Sequence, residues 1–252
     1  MRDNIITVTL EEPSHYLGPE AESWAHRLYR IKVALAYYHH RSWLYRCISR
    51  TQIENAHRGF IAEIGCGSGY FLSLLEKWFP KSGIIGFDYD PRLLNRAKQQ
   101  TSRCLLIQGN AEKTLPFFDG SIAALIILHV IEHLYQPEFF ISEAARVLSP
   151  GGILLIATPN PTGIGARVMK SRWTGWREDH VSLCSPKDWT SIFERWGFSR
   201  VYGGTTWLSG IPVFRKFPLA LLNYLPLLLF GTLPWDRGEA FVGLFRRNGK
   251  GS

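Results

Sequence analysis

Cysteine is scarce in this chain, with four in 252 residues. Cys47, Cys66, Cys104 and Cys184 show no paired spacing, which argues against a disulfide framework and against a cysteine-rich zinc cluster. The first ten residues contain no sustained apolar stretch behind a basic start, so no signal peptide is expected. We therefore expect reduced thiols and a cytoplasmic location.

Acidic residues are outnumbered, with 21 Asp and Glu against 29 Lys and Arg and a net charge of +8. The segment 27–50 has no acidic residue, and its apolar residues recur at helical spacing, which predicts a basic amphipathic helix within an N-terminal cap at 1–55. Such a helix can cover a cofactor cleft, rest on an anionic membrane or bind an acidic partner. No nucleic-acid partner is expected, because no known recognition module is visible.

Three alternating glycines follow a short apolar run at 60–64 that contains Glu63. Glycine at 65, 67 and 69 lets the backbone turn sharply and lets a ligand approach main-chain amides. A dinucleotide-binding loop needs a small residue at position 70, where this chain has Tyr70, and the Gly-Lys-Ser/Thr of a P-loop is absent. The remaining pattern, E-x-G-x-G-x-G, resembles motif I of the class I S-adenosylmethionine-dependent methyltransferases.

The segments after this loop continue the strand and helix alternation of such a domain. Strands are predicted at 84–88, 104–107, 122–128, 153–157, 198–206 and 240–246, helices at 92–99 and 137–148, and a tight turn at 149–152. The phrase HVIEHL followed by RVLSPGGILLIATPN is similar to the family's fourth and fifth strand signatures, and the resemblance covers about 59–160. It implies an α/β, Rossmann-like fold with a seven-stranded, mostly parallel sheet and helices on both faces.

The resemblance implies a binding site for S-adenosylmethionine at the carboxyl edge of the sheet. Asp88 ends a strand, where a carboxylate can accept hydrogen bonds from both ribose hydroxyls. Glu63 would hold the amino end of the methionine portion. Asn110 stands where the family usually has Asp, and with Ala111 it would contact adenine. The expected cofactor-binding residues are Glu63, Gly65, Cys66, Gly67, Gly69, Asp88, Tyr89, Asn110, Ala111 and Leu128.

Three histidines are candidates for a catalytic role. His129 and His133 follow the fourth strand of the resemblance, and His180 lies in the excursion at 159–186, where this family builds its acceptor pocket. His129 and His180 are the predicted bases, whereas His133 is expected to pack at a helix start. The peptide also spells H-x-x-E-H, an inverted zinc-peptidase motif, but no third ligand is evident from the sequence, so no metal is expected.

An uncharged, leucine-rich run at 217–234 lies within an insertion at 208–238, between the core at 56–207 and the last strand and basic tail at 239–252. Pro218, Pro226 and Pro234 divide it, which disfavours a transmembrane helix. It is expected beside the acceptor site, as a lid, a membrane-dipping hairpin or added core.

We therefore expect methyl transfer to a small, apolar or lipid-like acceptor, with O-methylation favoured and peripheral membrane contact possible. The alternatives are a non-catalytic binding protein and a membrane-surface adaptor.

Overall fold

The computed structural model describes residues 5–7, 59–207, 219, 222, 229 and 232–249. Within these ranges the chain forms one sheet of eight strands with helices on both faces. The strands are β1 Ile5–Thr7, β2 Phe60–Ile64, β3 Gly83–Asp88, β4 Leu105–Gln108, β5 Ile122–Leu128, β6 Leu148–Pro159, β7 Phe198–Thr205 and β8 Ala240–Arg247. The helices are α1 Tyr70–Trp78, α2 Pro91–Gln100, α3 Pro137–Val147, α4 Ile164–Met169 and α5 Pro186–Arg195.

The strand order is β1-β4-β3-β2-β5-β6-β8-β7. Every pairing is parallel except those of β8, which runs antiparallel to β6 and to β7. The direction of winding reverses between β2 and β5, and a crevice for a ligand opens beyond the carboxyl ends of strands at such a point. The predicted α/β, Rossmann-like class is confirmed.

The sheet is buried on both faces, which explains why its central strands are almost wholly apolar. On one face Ile64 and Leu125 belong to a core with Phe140 of α3 and Trp189 of α5. On the other face the core is built from α1, α2 and the alternate residues of the same strands, as with Leu72. Each strand therefore has a fixed register, and its carboxyl end is fixed in place.

Two details differ from the sequence-based expectation. The short edge strand β1 adds an eighth strand to the seven expected. The predicted turn at 149–152 is part of β6, where a bulge shifts the register between Ile122 and Ala124 of β5. Gly151 has a φ of 76° there, so the glycine serves an irregular strand rather than a separate loop.

The two segments with the most unusual composition fall largely outside the described residues. The basic amphipathic helix predicted at 27–50 lies wholly outside them. From the apolar run, Leu219, Leu222, Leu229 and residues 232–234 are described. The side chains of the first three leucines are exposed, whereas Thr232 is buried and the backbone of Leu233 pairs with Thr205. None of the helices in the described ranges has the length and apolar character needed to cross a bilayer.

Candidate active site

The glycine loop is held against the end of β3 by two backbone hydrogen bonds. The amides of Gly65 and Cys66 both donate to the Phe87 carbonyl oxygen, at 2.7 and 3.1 Å. Gly65 has a φ of 72°, and a Cβ built on it would lie 2.2 Å from Cγ2 of Val130. Glycine is therefore required here both by backbone conformation and by close packing against the loop after β5. Cys66 is buried.

Gly67 faces open space in the described structure. Its φ is 54°, and no described heavy atom outside its chain neighbours lies within 4 Å of a Cβ built on it. Its amide donates to Oδ2 of Asp88 at 2.8 Å, which fixes the loop next to the end of β3. By contrast, a Cβ on Gly69 would meet Ala97 of α2. The loop thus forms a cradle whose open side lies at Gly67.

Two buried carboxyl groups lie at this edge, Glu63 and Asp88. Burial, followed by the nearby Asp88 charge, raises the pKa of Glu63 well above its ordinary value. Oε2 of Glu63 has no hydrogen-bond partner among the described residues. Burial also raises the pKa of Asp88, although its carboxylate accepts hydrogen bonds from the amides of Gly67 and Asp90. The pocket therefore favours a ligand that brings positive charge to Glu63.

The remaining expected cofactor residues line the same edge of the sheet. Oδ1 of Asn110 accepts a hydrogen bond from the Glu112 amide at 2.8 Å, so this oxygen shapes the loop and the side-chain NH2 group is the part left for a ligand. Ala111 is buried, while Tyr89 and Leu128 are half-buried at the ends of β3 and β5. The position of each at a strand terminus agrees with the sequence-based placement.

His129 directly follows β5 and has a strained backbone. Its φ is 56°, a left-handed conformation that is uncommon for residues other than glycine and clusters at functional sites. Its amide donates to the Ala157 carbonyl oxygen at 2.7 Å, which holds it at the carboxyl edge. Its imidazole is largely exposed, with Nδ1 3.4 Å from Oε1 of Glu132.

Glu132 is fully buried beside these histidines. Neither of its carboxylate oxygens has a hydrogen-bond partner among the residues that the structure describes. The sequence contains Glu132 within H-x-x-E-H, but nothing in the sequence indicates that its side chain turns inward without a donor. A buried carboxylate in this state is costly unless another group compensates its charge.

The excursion after β6 brings His180 next to Glu132 and His133. The Ser182 amide donates to the Glu132 carbonyl oxygen at 3.0 Å, and Oγ of Ser182 donates to the Leu134 carbonyl oxygen at 2.6 Å. The rings of His133 and His180 are then 4.7 Å apart, edge to face. Burial lowers the pKa of His180, which favours its neutral form. The two predicted bases, His129 and His180, therefore both lie around Glu132.

The same excursion gives this edge an aromatic, apolar border. Trp176 and Val181 are exposed, and Trp176 packs edge to face on buried Trp173 with ring centroids 5.4 Å apart. Nε1 of Trp173 donates to Oε2 of Glu239 at 2.9 Å, and the Gly165 amide donates to its Oε1 at 2.9 Å. Glu239 therefore anchors the excursion beside β8. Sequence analysis missed this role, because Glu239 carries no local motif.

Comparisons with known proteins agree with this architecture. A family model described as a methyltransferase domain matches residues 62–156. Over 100 residues the chain is 37% identical to a protein of Mycolicibacterium smegmatis named as a probable S-adenosylmethionine-dependent methyltransferase, a match that covers 40% of this chain and 38% of the relative. A fatty-acid O-methyltransferase of the same organism is 34% identical over 105 residues, covering 40% of this chain and 37% of that protein.

A solved structure of an S-adenosylmethionine-dependent methyltransferase from Archaeoglobus fulgidus superposes with a TM-score of 0.55. The match covers 82% of this chain and 94% of the other at 18% identity, so it supports the fold. The curated relatives match over less than two fifths of their own length. The family model begins within β2, includes the glycine loop and ends within β6.

Proposed function

We propose that this chain transfers a methyl group from S-adenosylmethionine to the oxygen of a small, apolar or lipid-like acceptor. Its residues 62–156 match the methyltransferase domain family. Its fold is that of the class I S-adenosylmethionine-dependent methyltransferases. The observation that carries the proposal is the cradle at Gly67 between two buried carboxyl groups. Such a cradle suits a ligand that is cationic at one end and carries a diol at the other.

The residues at this edge fit S-adenosylmethionine. Oε2 of Glu63 is buried without a described hydrogen-bond partner, and the ammonium of the methionine portion would supply one. Asp88 accepts backbone hydrogen bonds from Gly67, Asp90 and Tyr89, and a carboxylate with about four acceptor sites still has capacity for a ribose hydroxyl. The NH2 group of Asn110 would contact adenine, with Ala111 beneath the ring.

S-adenosylmethionine supplies an electrophilic methyl carbon attached to a sulfonium. The protein's part is to align the acceptor oxygen with that carbon and to keep water out. A hydroxyl acceptor also has to lose its proton, and His129 and His180 are the candidate bases. His129 is favoured because it directly follows β5 and its neighbour Val130 packs against Gly65 of the glycine loop. Its imidazole is largely exposed.

Two observations support an apolar acceptor. Trp176 and Val181 are exposed on the excursion that also carries His180. Leu219 and Leu222, from the insertion expected at the same edge, are exposed as well. Exposed large apolar side chains occur at binding surfaces, and one of the matching relatives is a fatty-acid O-methyltransferase.

Calorimetry with S-adenosylmethionine and a transfer assay with a labelled methyl group test the proposal. We expect binding, and transfer to fatty acids or prenylated phenols in preference to sugars. With a phenol or enol acceptor, which has to lose its proton, His129→Ala should lower turnover by about 100-fold or more while cofactor affinity is kept, with His180→Ala measured beside it. Glu178→Gln, an exposed change in the same loop, serves as the control.

No cofactor binding by the parent chain would refute the proposal. Binding without turnover on any acceptor would favour a non-catalytic protein that kept the cofactor fold. Normal turnover in both histidine variants would assign proton removal to another group.

A further inference from the structure

We propose that Glu132, His133 and His180 bind a divalent first-row transition-metal ion, for which Zn²⁺ is the probe. One ligand atom from each of the three residues lies within 4.8 Å of the other two. Ligands around a tetrahedral zinc ion are about 3.4 Å apart, given Zn–N and Zn–O bonds of about 2.1 Å. Side-chain movements of about 1 Å would therefore close the set around an ion.

The backbone prepares both histidines to act as ligands. Nδ1 of His133 lies 2.9 Å from the Asp179 carbonyl oxygen, and Nδ1 of His180 lies 2.8 Å from the Gly175 carbonyl oxygen. A carbonyl only accepts, so in each ring Nδ1 carries the proton and Nε2 keeps its lone pair. A histidine that ligates a metal almost always donates its other ring N–H in this manner.

The third ligand, Glu132, is a buried carboxylate that has one ring nitrogen at ion-pair distance among the described residues, Nδ1 of the exposed His129 at 3.4 Å from Oε1. Its side chain is fully buried, and in the described part of the chain neither carboxylate oxygen accepts a hydrogen bond. A purely structural cluster of these residues would be expected to join the carboxylate to a ring N–H, but the N–H groups of His133 and His180 point to backbone carbonyls instead. A metal ion would compensate the carboxylate and use both free Nε2 atoms.

The ligand types limit the choice of ion. Two imidazole nitrogens and one carboxylate oxygen suit zinc and its first-row neighbours, whereas magnesium and calcium prefer oxygen ligands throughout. Three protein ligands also leave a fourth position open, as in catalytic zinc sites. The H-x-x-E-H motif lacked an evident third ligand in the sequence, and the fold brings His180 from a distant segment to that place.

The open position gives the ion a role that rests on the proposed function. An acceptor hydroxyl bound there would have a lower pKa and would lose its proton to solvent more readily. The acceptor oxygen would then form a bond to the methyl carbon as the carbon–sulfur bond breaks, and the sulfonium would become a neutral thioether. His180 would be a ligand in this scheme and not a base.

Metal binding can be measured without any methyl acceptor. The full-length protein is treated with chelator, dialysed and titrated with Zn²⁺, and bound zinc is counted by mass spectrometry. We expect one tight equivalent in the parent that is weakened at least about 100-fold in Glu132→Gln and in His180→Ala. His129→Ala and Glu178→Gln are the matched controls and should retain that equivalent.

Cobalt gives a second readout, because its visible spectrum reports nitrogen ligands directly. The parent and His129→Ala should show the same spectrum, and His180→Ala should lose it. Circular dichroism shows whether Glu132→Gln still folds after the buried charge is removed. If it does not fold, His180→Ala tests the metal site instead, because His180 lies in a loop.

Equal zinc binding by the parent, Glu132→Gln and His180→Ala would overturn the metal site. Calorimetry with S-adenosylmethionine on the same samples separates this outcome from failure of the proposed function. Cofactor binding without the zinc equivalent rejects only the site. Zinc binding without cofactor binding rejects only the methyl transfer.

Discussion

At the residue scale, the carboxyl groups of Glu63 and Asp88 control the charge of the proposed cofactor pocket. Both are buried next to each other, and burial raises the pKa of each. Among the described residues no Lys or Arg donates a hydrogen bond to either carboxyl group, and Asp88 accepts its hydrogen bonds from backbone amides. The cofactor itself would therefore bring the positive charge to this site.

Replacing Asp88 with Ala should weaken binding of S-adenosylmethionine by about 1.5–3 kcal/mol, because a charge-assisted hydrogen-bond acceptor is lost. This corresponds to a roughly 10- to 150-fold rise in Kd by calorimetry. Asp88 also holds the Gly67 amide, so the ribose contact needs its own control. A cofactor product analogue without the two ribose hydroxyls should bind the parent and Asp88→Ala almost equally. An equal loss for both ligands would assign the effect to the loop instead.

The raised pKa of Glu63 predicts that cofactor affinity depends on pH. As the pH falls through the raised pKa, a growing fraction of the cofactor-free protein has a neutral Glu63. An ion pair with the ammonium group of the cofactor requires the charged form of Glu63. Binding should therefore release a proton and become tighter as the pH rises through that raised pKa. Calorimetry in buffers of different ionisation enthalpy measures the proton release, and a pH-independent affinity would contradict the assignment.

Glu63→Gln is the matched variant, and it also tests stability. A carboxyl group whose pKa is raised in the folded state destabilises the fold when it is charged. This loss of folding free energy disappears as the pH falls from above the raised pKa to below 4.5, the ordinary pKa of a glutamate. The free energy of unfolding of Glu63→Gln at neutral pH should therefore equal or exceed that of the parent, whereas cofactor affinity should fall and lose its pH dependence. A less stable variant would indicate that the charged carboxylate has a partner that supports the fold.

At the element scale, the glycine loop is a short connection between β2 and α1 in which Gly65 and Gly67 have different constraints. Gly65 is crowded by Val130, and Gly67 borders open space. Both have positive φ, so an added Cβ costs about 1–2 kcal/mol of conformational energy at either position. Only at Gly65 is a steric clash added.

Gly65→Ala should therefore be less stable than Gly67→Ala by about 1–3 kcal/mol, the usual cost of overpacking. Urea unfolding measures this difference, and Val130→Ala in combination with Gly65→Ala should recover part of it. Gly67→Ala should instead lose cofactor affinity, because its Cβ would project into the open side of the cradle. Equal stability of the two variants would mean that the Val130 contact is not formed in solution.

At the scale of the whole molecule, the net charge of +8 and the exposed leucines of the insertion favour contact with an anionic membrane. Leu222 and Leu229 are both more than half exposed, and burying such side chains in a bilayer interface is favourable by about 1.5–3 kcal/mol each. Liposome co-sedimentation should show binding that strengthens with anionic lipid and weakens with salt.

Leu222→Asp with Leu229→Asp should weaken this binding by about tenfold or more. Phe118→Asp is the matched control, because Phe118 is equally a large exposed apolar residue but precedes β5 at the opposite edge of the sheet. If the parent ignores liposomes, or if both changes have the same effect, membrane contact through the insertion is wrong.

The sequence by itself determined the order of strands and helices and the positions of the cofactor loops. A strand buried on both faces must be apolar over its whole length, as at 122–128, and a chain reversal at its carboxyl end requires glycine or a polar residue. These are local constraints, so they leave a local pattern. For this reason β5 begins and ends at Ile122 and Leu128 as predicted, and Asp88 ends β3.

Only the tertiary structure decided which distant groups meet. His180 reaches Glu132 because Ser182 bonds to the backbone of residues 132 and 134, and Glu239 holds Gly165 and Trp173 from the last strand. Backbone carbonyls are the same at every position, so contacts made to them leave no residue type to recognise in a single sequence. The edge strand β1 and the bulge in β6 were not predicted from the sequence, because strand pairing depends on neighbours that are remote along the chain.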